Sequence, residues 1–400
     1  MRRSSAIFAL LCAFAASPAP ALALGPQWLR AKLSREMRLA GVRGGAYVVD
    51  LGSGQPVFAV RADVARPPAS VEKLYTTATA LLRFGPDATF DTQVLADTSP
   101  DPGGVLPGDV WLRGGGDPTL TTARVADLAG QLADQGIVSV HGGVHGDGSL
   151  FDQLPGSYRT GGRFDTDIGG ALAALEVNRG LKAGRGQSAP ALIAARAMAH
   201  ALRRAEVRVA GRTTIAPAPG DAHVVARVSS PPLGQLVAST NTPSDNFYAE
   251  TLLKDLGARF GAGGTTAAGA AVVRAQLASL GVYPRIADGS GLARANQTTP
   301  RQVVGLLTRL DGEAAGGVLR ASLPVPGRTG TLRTRMRGTA ASGRCRAKTG
   351  TIAFVSALAG YCSTADGHRV AFAFMMSGMN VGVARRMQDR MTVALARVSL

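Results

Sequence analysis

The chain has 400 residues, 46% of them hydrophobic, which is enough for one large domain or two ordinary ones with real cores. Its formal charge is +17, yet the basic residues are spread along the chain with no aromatic-rich basic motif, so nucleic acid is excluded as the expected partner. In a protein outside the cytoplasm such a charge is drawn instead to anionic polymers or lipid headgroups of the cell envelope.

Residues 1–23 read as a signal peptide. Arg2 and Arg3 are a basic start, Ile7 to Ala16 is an apolar run too short to span a bilayer, and Ala21-Leu22-Ala23 fits the small-x-small cleavage pattern. The expected mature chain starts near Leu24 and is exported to the periplasm or the extracytoplasmic envelope. Cys12 has no lipobox-like context, and no second apolar run is long enough for a transmembrane helix.

The pattern then predicts a helix over Gln27 to Ala40. A hairpin of Gly45 to Val49 and Pro56 to Val60 follows, turning at Gly52-Ser53-Gly54. Pro67-Pro68 leads into a helix that starts at Ser70, buries Val71, Leu74, Ala78 and Leu81, and ends near Phe84-Gly85-Pro86. From about residue 89 to 230 the character is mixed. Strands are expected at Thr89 to Ala96, Val110 to Arg113 and Ile137 to Val144, helices at Ala123 to Gln135 and Ala189 to Arg204, then strands to about Val228. Beyond Pro231-Pro232 comes a run of helices: one to about Ala238, one carrying Phe247, Leu252, Leu253 and Leu256, then Thr265 to Leu280, Thr299 to Leu310 and Gly316 to Leu323. Three strands within Arg346 to Ser377 and a helix over Val381 to Val398 close the chain. The reading is an α/β (α+β) protein with one body built from 24–88 and 231–400 and an inserted domain at 89–230.

Only five of the 44 basic residues are lysine: Lys32, Lys73, Lys182, Lys254 and Lys348. A lysine against so strong an arginine background marks places where arginine cannot substitute, and only lysine can give up its proton in a protein. Ser70 and Lys73 are three apart on a helix, so hydroxyl and amine can meet as nucleophile and base. Ser244-Asp245-Asn246 begins a helix, where Ser244 can relay a proton to a leaving amine and Asn246 can bridge amine and substrate backbone. Lys348-Thr349-Gly350, followed by Thr351, lies on a strand. There Lys348 can hold a carboxylate, and Gly350 lets an extended peptide lie along the strand edge. The backbone N–H groups of Ser70 and Thr351 can form an oxyanion hole. Lys254 reads as surface decoration of its helix, and the five histidines as surface or structural groups, with no nucleophile-elbow motif beside them. His141 and His145 lie on a strand and glycine turn rather than a helix, so no zinc site is expected there.

Cys345 and Cys362 sit symmetrically about a turn at Ala353-Phe354, facing each other across two strands. In an oxidising compartment that placement predicts a disulfide, worth about 3 kcal/mol, with two buried thiols as the alternative.

The three motifs in this order are the signature of serine β-lactamases and penicillin-binding proteins. Ser70 and Ser244 are 174 residues apart, far more than a compact β-lactamase needs. With Leu112 to Leu120, Glu176 to Gly180, Ser244 to Glu250, Asp288 to Leu292 and Gly330-Thr331-Leu332, the chain resembles the D-alanyl-D-alanine carboxypeptidase/endopeptidases, the class C low-molecular-mass penicillin-binding proteins. The resemblance implies a penicilloyl-serine-transferase (β-lactamase-like) fold with an antiparallel sheet flanked by helices. It implies a serine DD-peptidase acting on peptidoglycan stem peptides and covalently inhibited by β-lactams, with no cofactor and no metal. It implies Ser70 as nucleophile, Lys73 as base, Ser244 and Asn246 for relay and positioning, and Lys348 on the carboxylate, with Asp245, Thr349 and Gly350 beside them. The loop Ser290, Gly291, Leu292 to Arg294 is similar to one that lines the family's cleft, with Arg294 meeting an anionic end of the stem peptide. Ala293 stands where the family usually has serine. The rival readings are a β-lactamase or esterase on the same fold, and a non-catalytic peptidoglycan-binding protein.

Overall fold

The computed structural model describes residues 24–400; the expected signal peptide lies outside the described residues. Among the described residues no helix is long and apolar enough to cross a membrane.

After helix α1 (Pro26–Ala40) come β1 (Gly44–Asp50) and β2 (Pro56–Val60). A 3₁₀ turn over Ala69–Glu72 then leads into α2 (Lys73–Phe84). The expected single helix from Ser70 is therefore a 3₁₀ turn feeding an α-helix. Residues i and i+3 eclipse in 3₁₀ geometry, so Ser70 and Lys73 stack more directly than an α-helix would allow.

The next segment forms three further sheets, one of them a two-stranded hairpin. Strands β3 (Asp91–Ala96), β4 (Val105–Leu106) and β5 (Val110–Arg113) precede α3 (Thr122–Asp134). Then come β6 (Ser139–Val140), β7 (Val144–Asp147), the short hairpin β8 (Leu181–Lys182) and β9 (Arg185–Gly186), and α4 (Pro190–Arg204). Strands β10 (Arg208–Val209), β11 (Thr213–Ile215) and β12 (His223–Ser229) complete it. The larger sheet runs β11-β7-β5-β3-β12 and the smaller β10-β6-β4. The strand expected over Ile137 to Val144 is two strands in different sheets, β6 pairing with β4 and β10, and β7 with β5 and β11. Gly142-Gly143 interrupts it, because the chain changes sheets there. Leu112, Leu128, Leu132, Met198 and Leu202 share this segment's own core.

The chain then forms α5 (Leu233–Asn241), α6 (Asn246–Phe260), α7 (Thr266–Ser279), α8 (Pro300–Leu310) and α9 (Ala314–Ala321). It closes with β13 (Cys345–Ile352), β14 (Val355–Ser363), β15 (Arg369–Ser377) and α10 (Val381–Leu395). The principal sheet runs β13-β14-β15-β1-β2, every pairing antiparallel. It is covered on both faces, which is why β15 reads as an unbroken apolar run. Its alternate residues serve two cores. Phe372, Phe374 and Met376 pack with Leu29, Leu33, Met387 and Met391 of α1 and α10. Ala371, Ala373 and Met375 face Leu74, Ala78, Leu253, Val303 and Leu307 of the helical layer. The small residues on that second face let the helices approach closely. Cys345 pairs directly with Cys362 in the ladder, and the two are joined by a disulfide with their Cα atoms 4.0 Å apart.

Candidate functional site

Ser70, Lys73, Ser244, Asn246, Thr349 and Thr351 converge where the turn before α2, the start of α6 and the edge strand β13 meet. The Lys73 side chain is fully buried. Its Nζ lies 3.0 Å from Ser70 Oγ, 2.6 Å from Asn246 Oδ1 and 2.7 Å from the Ser290 carbonyl oxygen. The two carbonyl oxygens can only accept, so each takes one N–H from Lys73. The Asn246 amide is oriented by its other end, whose Nδ2 donates to the Asp167 carbonyl at 2.7 Å. The third direction of Nζ faces the Ser70 hydroxyl, the one partner that can reverse. An ammonium donates to Oγ; a neutral amine presents its lone pair to the Oγ–H. The same geometry therefore serves both protonation states. Burial lowers the Lys73 pKa to about 8, against the raising effect of Glu250, Asp288, Asp245 and Glu72.

Behind Lys73 lies a buried acidic frame. Glu250, on α6, accepts from the Ser290 amide at 2.9 Å and the Gly289 amide at 3.3 Å. Asp288 accepts from Gly291 at 2.8 Å and Ala293 at 2.7 Å, and Asn296 Nδ2 bonds it at 2.7 Å. These bonds hold the 288–293 loop so that the Ser290 carbonyl, not its buried hydroxyl, meets the lysine. Gly291 has φ +86, and a Cβ there would sit 2.0 Å from the Ala69 carbonyl oxygen, so this loop packs directly under the turn that carries Ser70. Burial, with the charges of Asp288 and Glu250, pushes the unpartnered Glu72 carboxyl well up, and burial raises Glu250 to about 7.

Strand β13 approaches from the other side. It is an edge strand, and Ala347 donates outward, at 2.9 Å, to the Pro324 carbonyl. Strand alternation puts the N–H groups of Thr349 and Thr351 on that same outer edge. A Cβ on Gly350 would lie 2.4 Å from the Pro68 carbonyl and 3.2 Å from the Ser70 amide nitrogen, so only glycine lets the strand lie against this turn. Thr349 Oγ1 is 2.8 Å from Thr331 Oγ1. Lys348 is fully buried; its Nζ bonds the Thr349 carbonyl at 3.0 Å, and burial together with Lys73 holds its pKa well below the usual lysine range.

Ser244 occupies the left-handed region with φ +67, in the turn between α5 and α6. Asp245 caps α6, accepting from the Tyr248 amide, and receives both terminal nitrogens of Arg179 at 2.9 Å each. Arg179 stacks over Phe247 at 4.7 Å and donates to the Gly169 carbonyl. The 89–230 segment thus reaches into the site through Asp167, Gly169 and Arg179. In the sequence Arg179 stands only as part of the Glu176 to Gly180 motif; its chemistry shows once the fold sets it against Asp245. Leu292 packs on the cluster of Ile168, Leu172 and Phe247. Arg294 is exposed and donates to the Ala353 carbonyl in the β13–β14 turn.

Lys254 is not surface decoration. It is buried, paired with Asp152 at 2.5 Å and bonded to the Leu154 carbonyl at 2.9 Å, because its face of α6 lies under the 89–230 segment. His145 bonds Thr214 and Asp109 within that segment. Among the described residues no group of three or more His, Cys, Asp or Glu side chains is arranged to hold a metal.

A cavity of about 320 Å³ opens on the site, lined by Ser70, Ser244, Thr349 and Thr351 and by Arg335 and Arg385.

A profile of the D-Ala-D-Ala carboxypeptidase 3 (S13) family matches residues 28–168 and 159–398. The chain belongs to that family. It is similar to the D-alanyl-D-alanine carboxypeptidase of Actinomadura sp. (strain R39), 30% identical over 442 residues that take in 90% of this chain and 82% of that one. In fold it is similar to penicillin binding protein 4 of Haemophilus influenzae, with a TM-score of 0.79 at 20% identity over 90% of this chain and 98% of that one. It also resembles a predatory peptidoglycan endopeptidase of Bdellovibrio bacteriovorus, with a TM-score of 0.57 at 19% identity over 86% and 90% of the two chains.

Proposed function

We propose that this family member is a serine DD-peptidase that hydrolyses D-Ala-D-Ala termini or peptide cross-links of peptidoglycan through an acyl-enzyme on Ser70. The observation that carries this is the Lys73 amine, buried and held 3.0 Å from the Ser70 hydroxyl by two fixed carbonyl acceptors. In the proposed reaction Lys73 takes the Ser70 proton as Oγ attacks the scissile carbonyl. The outward N–H of Thr351 and the N–H of Ser70 stabilise the oxyanion. The proton held by Lys73 passes through the Ser244 hydroxyl to the leaving amine, which restores both groups, and Asn246 keeps Lys73 aimed. Water then hydrolyses the acyl-enzyme. A β-lactam presents a strained amide to the same serine and is expected to leave a slowly hydrolysed adduct.

Family membership supports the reaction class. Fold likeness to a penicillin binding protein solved with a β-lactam supports the inhibitor class. We further propose that residues 1–23 direct export and that the positive charge, +17 for the full chain and 17 − 2 = +15 without Arg2 and Arg3, favours anionic envelope polymers. The test is release of D-alanine from a peptide ending in D-Ala-D-Ala: turnover by the wild type and none by Ser70→Ala supports the proposal, and turnover by Ser70→Ala refutes the nucleophile.

A further inference from the structure

A peptide that ends in D-alanine carries a carboxylate a few bonds from the scissile carbonyl. Whatever holds that peptide over Ser70 has to meet this charge within the same cavity. Lys348 is the cation that the motif offers, but its side chain is fully buried and its Nζ is bonded to the Thr349 carbonyl. Two guanidinium groups, Arg335 and Arg385, line the cavity itself. Arg335 is committed: its Nε and Nη2 both bond Asp389 Oδ1, at 3.0 and 2.6 Å. Arg385 stands on the first turns of α10 and is exposed. Its Nη2 donates to Thr351 Oγ1 at 3.0 Å, a neutral hydroxyl on the strand edge beside Ser70. The other polar groups around it are hydroxyls, Thr349 Oγ1 paired with Thr331 Oγ1 among them. The one carboxylate in the lining, Asp389, is occupied by Arg335.

From this arrangement we infer that Arg385 is the substrate-binding cation of the cleft, receiving the C-terminal carboxylate of the peptide together with the Thr349 and Thr351 hydroxyls. A guanidinium offers a fork of donors that matches a carboxylate, so the ligand exchanges a neutral contact for charge-assisted ones. Lys348, buried behind the strand with its Nζ on the Thr349 carbonyl, is left out of the contact. The Arg335–Asp389 pair fixes the floor beside it, since Arg335 Nη2 also reaches the Arg385 carbonyl at 3.4 Å. Being on a helix outside all three sequence motifs, Arg385 gave no signal of its own in the sequence.

This inference rests on the peptidase reading, and its test separates the two. Wild type, Arg385→Gln and Arg385→Lys are assayed on an acylated peptide ending in D-Ala-D-Ala and on the same peptide as its C-terminal amide. Binding of both peptides is measured in parallel on Ser70→Ala protein with and without Arg385→Gln. We expect Arg385→Gln to lower kcat/KM on the free acid on the order of 10–100-fold, chiefly through KM, and to change the amide by less than about twofold. Arg385→Lys should recover part of the loss. Equal losses on both peptides, or no loss on either, would overturn the inference. If the wild type turns over neither peptide, the peptidase reading fails. The binding measurement then decides alone: an acid-over-amide preference that Arg385→Gln abolishes supports the inference, and one that it leaves intact overturns it.

Discussion

Lys73 Nζ lies 2.6 Å from Asn246 Oδ1, and this contact joins residues 173 positions apart in the chain. It holds the Lys73 amine in place, because the Asn246 amide is itself pinned by the Asp167 carbonyl. The protonation of a single lysine then sets the direction of the Ser70 hydrogen bond.

Acylation of Ser70 should accordingly depend on pH through Lys73. The group acts as a base only when neutral, and its pKa is lowered to about 8. The rate of acylation by a β-lactam should rise with pH along a limb centred near pH 8 and level off above it. Lys73→Arg keeps the charge but cannot deprotonate, and should cost about 10²–10⁴-fold. Stopped-flow acylation across about pH 5.5–10 measures both.

Glu250 should tune that limb without touching substrate. Its carboxylate raises the Lys73 pKa, and its own pKa is about 7, so it is mostly ionised where Lys73 titrates. Replacing it by glutamine removes a negative charge and leaves the lysine easier to deprotonate. The acid limb of Glu250→Gln should therefore move to lower pH, while the plateau falls because one acceptor of the 288–293 loop is weakened. A limb that stays in place would show that Glu250 is a purely structural anchor.

Much of this was legible in the sequence. The β15 run, the α2 periodicity and the three motifs each announce themselves through local spacing. What was not legible depends on approach between distant segments. Lys254 has the pattern of a surface lysine until Asp152 is brought over it. Arg179 looks like any charged loop residue until the fold sets it against Asp245. The strand expected over Ile137 to Val144 carries its break at Gly142-Gly143, and that break becomes meaningful only when the two halves pair in different sheets. The cysteine pair was readable because hairpin symmetry is a local property, and the ladder places Cys345 opposite Cys362.

The Arg179–Asp245 pair should matter to the site and to stability together. Asp245 is the N-cap of the helix that carries Asn246 and Glu250, and Arg179 holds it with two bonds. Both groups are partly solvated, so Arg179→Met should destabilise the fold by about 1–3 kcal/mol rather than the larger cost of a fully buried pair. It should also slow acylation, and Arg179→Lys should recover the stability only in part, lacking the second bond. Thermal melts and acylation rates on the three proteins test this.

The Cys345–Cys362 bridge closes a loop with a sequence separation of 17. Its loss in a Cys345→Ser/Cys362→Ser variant should cost about 3 kcal/mol by the loop-entropy relation. Denaturant titration of the oxidised protein against the variant gives the figure, and equal midpoints would show that the hairpin is held by its sheet alone.

The most direct measurement is the intact mass of the mature protein after incubation with benzylpenicillin, followed by peptide mapping. We expect one penicilloyl group per chain, on the peptide that contains Ser70, and none in Ser70→Ala. Rapid loss of penicillin with no adduct would make the chain a β-lactamase in action. An adduct elsewhere, or neither adduct nor turnover, would contradict the acyl-enzyme on Ser70.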